Sequence, residues 1–507
     1  MEEAYTYYCS QIPILPRAKR YVKTEDGVRQ YRFLEEEAAR RDGEKLVRAN
    51  FGLGEPLQVS LLEKMLVLCA TKYAALDSYG MGVEMEGGKP GWYDALNGLP
   101  GLFGSSMAET YELERLLAFV EKALPDCPAE FPVTKEVAEY LQSMDAVTLL
   151  YRNEIGSRDE LLEFWNVRND AKETYEDKTF YGISGEKVTL EKEKVKEIVE
   201  NLLTTVQTGI QKALRLNGGE VPTYFAYEVE RYEETKHGIV PQHFELIRMP
   251  LFLEGTVHLL KLSAPFAEKE ALYEAVRNSD LYDKILCMYK VNASLKDASY
   301  ELGRAKAFTP GWLENGSVWV QMEYKYLLEL LKMGAYREYL EDFENAAIPF
   351  QNPARYGRSI YENSSFIASS ENPNENLWGK GFVARLSGTT VEFLEMWKIM
   401  MFGKDTFRVE DGQLSLRFSP LLPKRLIGEE GRVEAMFMGT TRVVYHLPEK
   451  KDYVPGEYRI CRICMEYADG STYQTTSPVL GNLAAHDVRS GKVERIEIEM
   501  ENGYPQT

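Results

Sequence analysis

LQVSLLEKMLVLCATKYAAL, residues 57–76, places apolar side chains at the three- and four-residue intervals that define one face of a helix. The same spacing returns in MAETYELERLLAFVEKAL (107–124), VAEYLQSMDAVTLLYR (137–152), DELLEFWNVRNDAKETY (159–175) and KVKEIVENLLTTVQTGIQKALRL (194–216). It continues through MPLFLEGTVHLLKL (249–262), ALYEAVRNSDLYDKIL (271–286), VWVQMEYKYLLELLKMGAYREYLEDF (318–343) and TVEFLEMWKIMMF (390–402). Nine such segments joined by loops predict a mainly α domain, a helical toroid of paired helices over residues 51–404. Within 176–192, FYGISGEKVTL reads as a small inserted hairpin. Residues 1–50, with RFLEEEAARRDGEKLVRAN, read as a polar helix or connector, and the YEVERY run at 227–232 as core or sugar-stacking aromatics.

From about residue 405 the period shortens to two. QLSLRF, RVEAMFMG, TRVVYHL, YRICRICMEYADG and RIEIEM alternate in the manner of half-buried strands, with Pro and Asp-Gly breaks between them. Residues 405–507 are therefore expected to form a β module.

The 507 residues carry 60 Lys plus Arg against 79 Asp plus Glu, a formal net charge of -19. Such a field repels nucleic acid and anionic membranes, so neither is an expected partner, and any phosphate site must be locally positive. Arg355, Arg358, Lys380 and Arg385 form the best candidate group. Six cysteines without framework spacing suggest a reduced, cytoplasmic setting, and the CRIC pair Cys461 and Cys464 reads as structural. The start of the chain has no basic region followed by an apolar core, and no apolar run approaches the ~20 residues that span a bilayer, so neither export nor a membrane anchor is expected. Five histidines lack ligand spacing with one another or with cysteine, and no nucleotide-binding glycine motif occurs, so no metal or cofactor is expected.

The chemistry concentrates in EMEGGKPGWYDALNGLPGLFGSSM, residues 84–106. Asp94 directly follows two aromatics, Trp92 and Tyr93, that offer flat faces to a sugar ring, and six glycines let the backbone turn and approach a ligand. Read alone, the same stretch is equally a glycine-rich loop whose Asp caps the next helix. Ser387, Gly388 and Thr389 precede a helix whose first amides favour an anion, although Ser-Gly-Thr is also a good N-cap in its own right. Arg385 either adds a charge-assisted bond there or is a solvated surface Arg.

GWYDALNGL resembles the W-x-D-x-x-N loop of the inverting glycoside phosphorylases, the cellobiose-phosphorylase-like superfamily. TPGWLENGSVW (309–319), MEYKYLLELL (322–331), YGRSIYENSSFIASS (356–370) and GFVARLSGTTVEFLEMW (381–397) resemble its β-glucan, β-1,3-oligoglucan branch, in the same order. The resemblance implies an (α/α)6 barrel followed by a C-terminal β-sandwich. It also implies an incomplete toroid, the C-terminal half of such an enzyme, since no Arg-Asp sugar-gripping loop precedes Asp94 and nine helices fall short of twelve.

The activity implied is that of a hexosyltransferase. Inorganic phosphate, the co-substrate, attacks the anomeric carbon of a β-linked gluco-oligosaccharide or β-glucan and gives α-glucose 1-phosphate, with Asp94 as general acid. One carboxyl suffices because phosphate is already an anionic nucleophile, whereas an inverting hydrolase needs a second carboxylate as base. Partial burial beside Trp92 and Tyr93 would keep the Asp94 proton available. The matched positions assign Trp92, Tyr93, Glu314 and Glu362 to sugar, and Gln321, Arg385, Ser387, Gly388 and Thr389 to phosphate. Gln321 stands where the family usually carries His, so this contact donates a hydrogen bond without positive charge. Two other readings follow. One is a non-catalytic carbohydrate-binding subunit completed by an N-terminal-half partner or a homodimer. The other is an inverting hydrolase with Glu314 or Glu362 as base.

Overall fold

The computed structural model describes residues 2–39, 43–89, 91, 93–151, 158–383 and 388–503. The fold is mixed, with twelve α-helices and several small sheets among the described residues. It divides into two compact units, Met1–Tyr282 with Tyr289–Ser317 and Glu371–Pro373, and Asp283–Met288 with Val318–Ser370 and Asn374–Thr507.

The first unit contains α1 (Leu61–Ala74), α2 (Met107–Ala123), α3 (Lys135–Tyr151), α4 (Arg158–Thr179), α5 (Lys192–Leu216), α6 (Leu253–Leu260) and α7 (Phe266–Asn278). Two of these helices start at Ser-x-x-Glu sequences. Ser60 Oγ accepts from the Glu63 amide at 3.1 Å and Ser106 Oγ from the Glu109 amide at 3.3 Å, satisfying amides that have no partner within the helix. The apolar stripes then converge. Leu66 and Tyr73 of α1, Leu117 of α2, Met144 of α3 and Val206 of α5 are buried in one core, with α2 packed on α5 and α3 on α4.

A four-stranded sheet, ordered Val83–Glu84, Ser105–Ser106, Tyr224–Thr235, Gly238–Arg248, borders this core. Its long hairpin accounts for the YEVERY run. Tyr227 is buried, and its hydroxyl donates to Asp77 at 2.7 Å. Asp77 is itself a buried junction that also accepts from Ser105 Oγ at 2.7 Å and from the amides of Met81 and Gly82. One carboxylate thus clamps the stretch that leads toward Asp94.

Two expectations for this unit change. Lys187–Glu191 does not form a local hairpin. It pairs antiparallel with Glu130–Thr134, Phe131 opposite Leu190, because alternation marks a strand without naming its partner. Of the two readings of 32–50, helix or connector, the helix is not seen, since the described residues there hold only the 3-10 turn Glu36–Ala38 and the start of another, Asn50–Gly52. Ahead of it lies the hairpin Tyr21–Thr24/Gly27–Gln30, whose Arg29 reaches Glu301 at 2.7 Å and Glu228 at 3.0 Å.

The second unit contains α8 (Val320–Met333), α9 (Tyr336–Ala346), the short α10 (Pro353–Tyr356), α11 (Gly388–Phe402) and α12 (Asn482–Arg489). The expected single helix over 318–343 is two, because Gly334 takes φ +92° and ends α8 in a left-handed cap. α8 packs on both α9 and α11.

From Phe407 onward come a three-stranded and a five-stranded sheet. In the larger, Thr441–His446 runs parallel to Val493–Asn502 while the other pairs are antiparallel. The CRIC sequence sits on a bulge of Tyr458–Tyr467, between Ile460 and Arg462. The extra residue, Cys461, resets the alternation, so Ile463 and Met465 are buried as Tyr458 and Ile460 are. Among the described residues no helix is long and apolar enough to cross a membrane.

Candidate functional site

Asp94 opens the 3-10 turn Asp94–Leu96. Tyr93, Ala95 and Leu96 are buried, which anchors the turn from both sides and leaves the Asp94 carboxylate exposed. The burial expected around this acid is therefore absent, because its neighbours take the inward positions. Asn97, the last residue of the W-x-D-x-x-N pattern, accepts from the Arg304 amide at 3.1 Å. The Gly98 amide donates to the Leu302 carbonyl at 3.1 Å, and a Cβ on Gly98 would run into the Glu301 carbonyl. At Gly104 a Cβ would lie 2.6 Å from the Leu99 carbonyl. These two glycines serve backbone-to-backbone packing rather than approach to a ligand.

Tyr93 does not present a free face. The residue is 1% exposed and its ring meets Phe252 edge-on at 5.5 Å, and Tyr224 meets Phe252 edge-on as well, at 5.2 Å. The expected stacking platform is thus a core aromatic. It borders a cavity of about 240 Å³ that Tyr224, Glu254, Glu112 and His258 also line. The Tyr224 hydroxyl donates to Glu254 at 2.6 Å, and His258 Nδ1 lies 2.6 Å from Glu112 Oε1, with Lys261 2.9 Å from the same oxygen. The His258 contact, helped by Lys261, holds the Glu112 carboxyl far below the usual carboxylate range. Sequence spacing gave no sign of this chain, since its members come from two helices, α2 and α6, and a strand.

Glu314 sits in a tight loop, where Gly311 and Gly316 take φ +72° and +70° and Leu313 takes φ +51°. The loop is pinned by Asn315 Nδ2 to the Phe308 carbonyl at 2.7 Å and by the Gly316 amide to Asn292 Oδ1 at 2.8 Å. Burial pushes the half-buried Glu314 carboxyl up, its own amide and Arg304 pull it down, and the Asp94 charge raises it further. The charges of Asp94 and Arg304 thus reach Glu314 from segments well separated from it in sequence. Arg304 was not foreseen; nothing in its local sequence marks it.

In the second unit, Gln321 occupies the first turn of α8 and Gly388 the first position of α11. A Cβ on Gly388 would fall onto the Gln321 carboxamide, so the two candidate phosphate contacts adjoin. Thr389 is fully buried, and its Oγ1 has no hydrogen-bond partner among the described residues. Glu362 is exposed and accepts from Arg358 at 2.6 Å. Arg355 and Lys380 donate to the carbonyls of Leu286 and Ala354, at 3.4 and 2.8 Å. Trp92, Arg385 and Ser387 lie outside the described residues.

One group suited to a metal ion occurs among the described residues. Glu230, His243 and Glu245, on the long hairpin, bring one ligand atom each to within 4.8 Å of one another, His243 Nδ1 being 2.9 Å from Glu230. The lack of regular spacing between histidines gave no hint of it, because a strand bulge at Glu230 supplies the third donor. No protein-family model matches this chain, and no curated protein is significantly similar to it.

Proposed function

We propose that the chain is an inverting glycoside phosphorylase that transfers a glucosyl unit from a β-linked gluco-oligosaccharide or β-glucan to inorganic phosphate. It would be built on an (α/α)6-type toroid with a β-sandwich after residue 404. The observation that carries this reading is that the Asp94 charge reaches the half-buried Glu314 carboxyl, so that two of the resembling segments, the Asp94 turn and the Glu314 loop, lie within electrostatic range in the first unit. A second pairing, Gln321 with Gly388, supports the phosphate assignment in the same way.

In this scheme phosphate attacks the anomeric carbon and the Asp94 carboxyl gives its proton to the departing glycosidic oxygen, producing α-glucose 1-phosphate and a shortened chain. Glu314 accepts hydrogen bonds from the sugar. The first amides of α11, with Gln321 and Thr389, hold phosphate oxygens. The exposure of Asp94 lets a sugar reach the carboxyl without rearrangement of the core, while the burial that would keep its proton would have to come from the bound sugar itself.

The test mixes the purified protein with α-glucose 1-phosphate and a panel of gluco-oligosaccharides, β-1,3-linked ones included, and follows phosphate release. Release with one acceptor, lost in Asp94→Asn, is the expected result. Silence with every acceptor sinks the proposal. A second reading, an inverting hydrolase, draws on the half-buried Glu314 as a second carboxyl beside Asp94, and reducing sugar released without phosphate would select it.

A further inference from the structure

A cavity of about 710 Å³ in the first unit lies apart from the Asp94 turn, between the N-terminal segment around Tyr7 and the helices α3 and α4. Its size falls in the range of about 300–1,000 Å³ that suits a small organic ligand. Its walls combine aromatic rings, Tyr7, Tyr175 and Phe180, with three carboxylates, Glu136, Glu176 and Asp177.

The charges on this wall do not cancel. Two further acids there, Asp170 and Glu173, are met by Arg17 and Arg20. Lys172 comes only to 3.8 Å from one oxygen of Glu176, whose other oxygen has no hydrogen-bond partner among the described residues. Glu136 is 9% exposed. Its Oε1 accepts from the Ser184 amide at 2.7 Å, but its buried Oε2 has no partner among the described residues, and it forms no ion pair there. Glu136 and Glu176 line the cavity, and carboxylates whose charge is incompletely compensated favour a cation there through their field. Burial also pushes the Glu176 carboxyl up, a cost that a bound cation would offset.

We propose that this cavity binds an aliphatic ammonium ion, its charge against Glu136 and Glu176 and its hydrocarbon body against Tyr7, Tyr175 and Phe180. An anion is excluded by the surplus of acid. A neutral polyol would supply hydrogen-bond donors but leave the negative charge uncompensated. A bare metal ion would leave most of the volume unfilled and the aromatic walls unused, whereas an ammonium group gains from both carboxylates and ring faces.

The experiment titrates the full chain with 1,4-diaminobutane and, separately, with 1,4-butanediol, a neutral molecule of similar shape, by calorimetry and by thermal unfolding. Binding of the diamine with a raised unfolding temperature, and none of the diol, is expected. Glu136→Gln and Glu176→Gln should each weaken the diamine at least tenfold. Because each is measured against its own unliganded unfolding transition, failure of one variant to fold leaves the other as the test. No response to the diamine, equal response to the diol, or full affinity in a folded variant overturns the proposal.

Discussion

The Asp94 turn and the start of α11 use glycine for different ends. At Gly98 the missing Cβ lets one backbone lie directly on another, so a rigid surface carries the exposed acid. At Gly388 the missing Cβ leaves room for the end of a flexible side chain, Gln321, over the first amides of a helix. The first arrangement fixes the group proposed as the general acid. The second leaves space at the proposed phosphate site, with a neutral carboxamide where a charged group would bind phosphate more tightly. The lesson is that backbone contacts hold geometry while side-chain contacts tune affinity, and substitutions in the two places should fail differently.

The largest effect is expected at Asp94. Asp94→Asn should lower turnover with α-glucose 1-phosphate by about 10²–10⁴-fold while leaving the unfolding transition in place, because the side chain is exposed. An Asn variant that keeps most of its turnover would remove the first unit from the chemistry. Gly98→Ala comes next, since its Cβ meets main-chain atoms of Glu301 that cannot swing away. A loss of about 3 kcal/mol in denaturant unfolding is expected, and a loss under 1 kcal/mol would show that the loop is not locked to its neighbour.

Glu84 tests whether the rigidity of the first unit extends to its charges. Its carboxylate accepts from Trp165 Nε1 at 2.6 Å, yet burial pushes it up to about 7 from the usual 4.5. The folded state thus binds this proton more tightly than the unfolded one. The stability it contributes is complete below about pH 4.5 and is lost as pH rises through about 7. Glu84→Gln keeps the acceptor for Trp165 and should match the wild type at pH 4 while exceeding it at pH 8, by on the order of 2–3 kcal/mol. Parallel pH curves for the two proteins would contradict this.

The smallest effect belongs to the second unit. Gly388→Ala should displace the Gln321 carboxamide and raise KM for phosphate roughly threefold to tenfold, with stability changed by less than about 1 kcal/mol, because the displaced atoms end a mobile side chain. An unfolding loss as large as that of Gly98→Ala would erase the distinction between the two sites.

Much of the secondary structure was legible in the sequence. All nine expected helical segments contain a helix, since an apolar stripe at helical spacing can be buried in only one way. The partner of Lys187–Glu191 and the long hairpin at 224–248 were not, because pairing depends on residues that local pattern does not name. At the site, Asn97 and Gly98 belonged to a recognisable pattern, and the structure gives them the work of holding the turn against residues 302–304. Tyr93 went the other way. A tyrosine beside an acid reads as a sugar platform, and only the position of Phe252 turns it into core.

By itself, then, the sequence determined where most helices and the strands after residue 405 form and set one acid in a glycine-rich turn, because both follow from neighbours within a few residues. The tertiary structure alone decided which carboxyl groups are exposed, which feel one another and which line a cavity. Glu314 senses Asp94, and Glu136 shares a wall with Tyr7, through contacts between distant segments. Burial and electric field are properties of those contacts, and a linear pattern does not contain them.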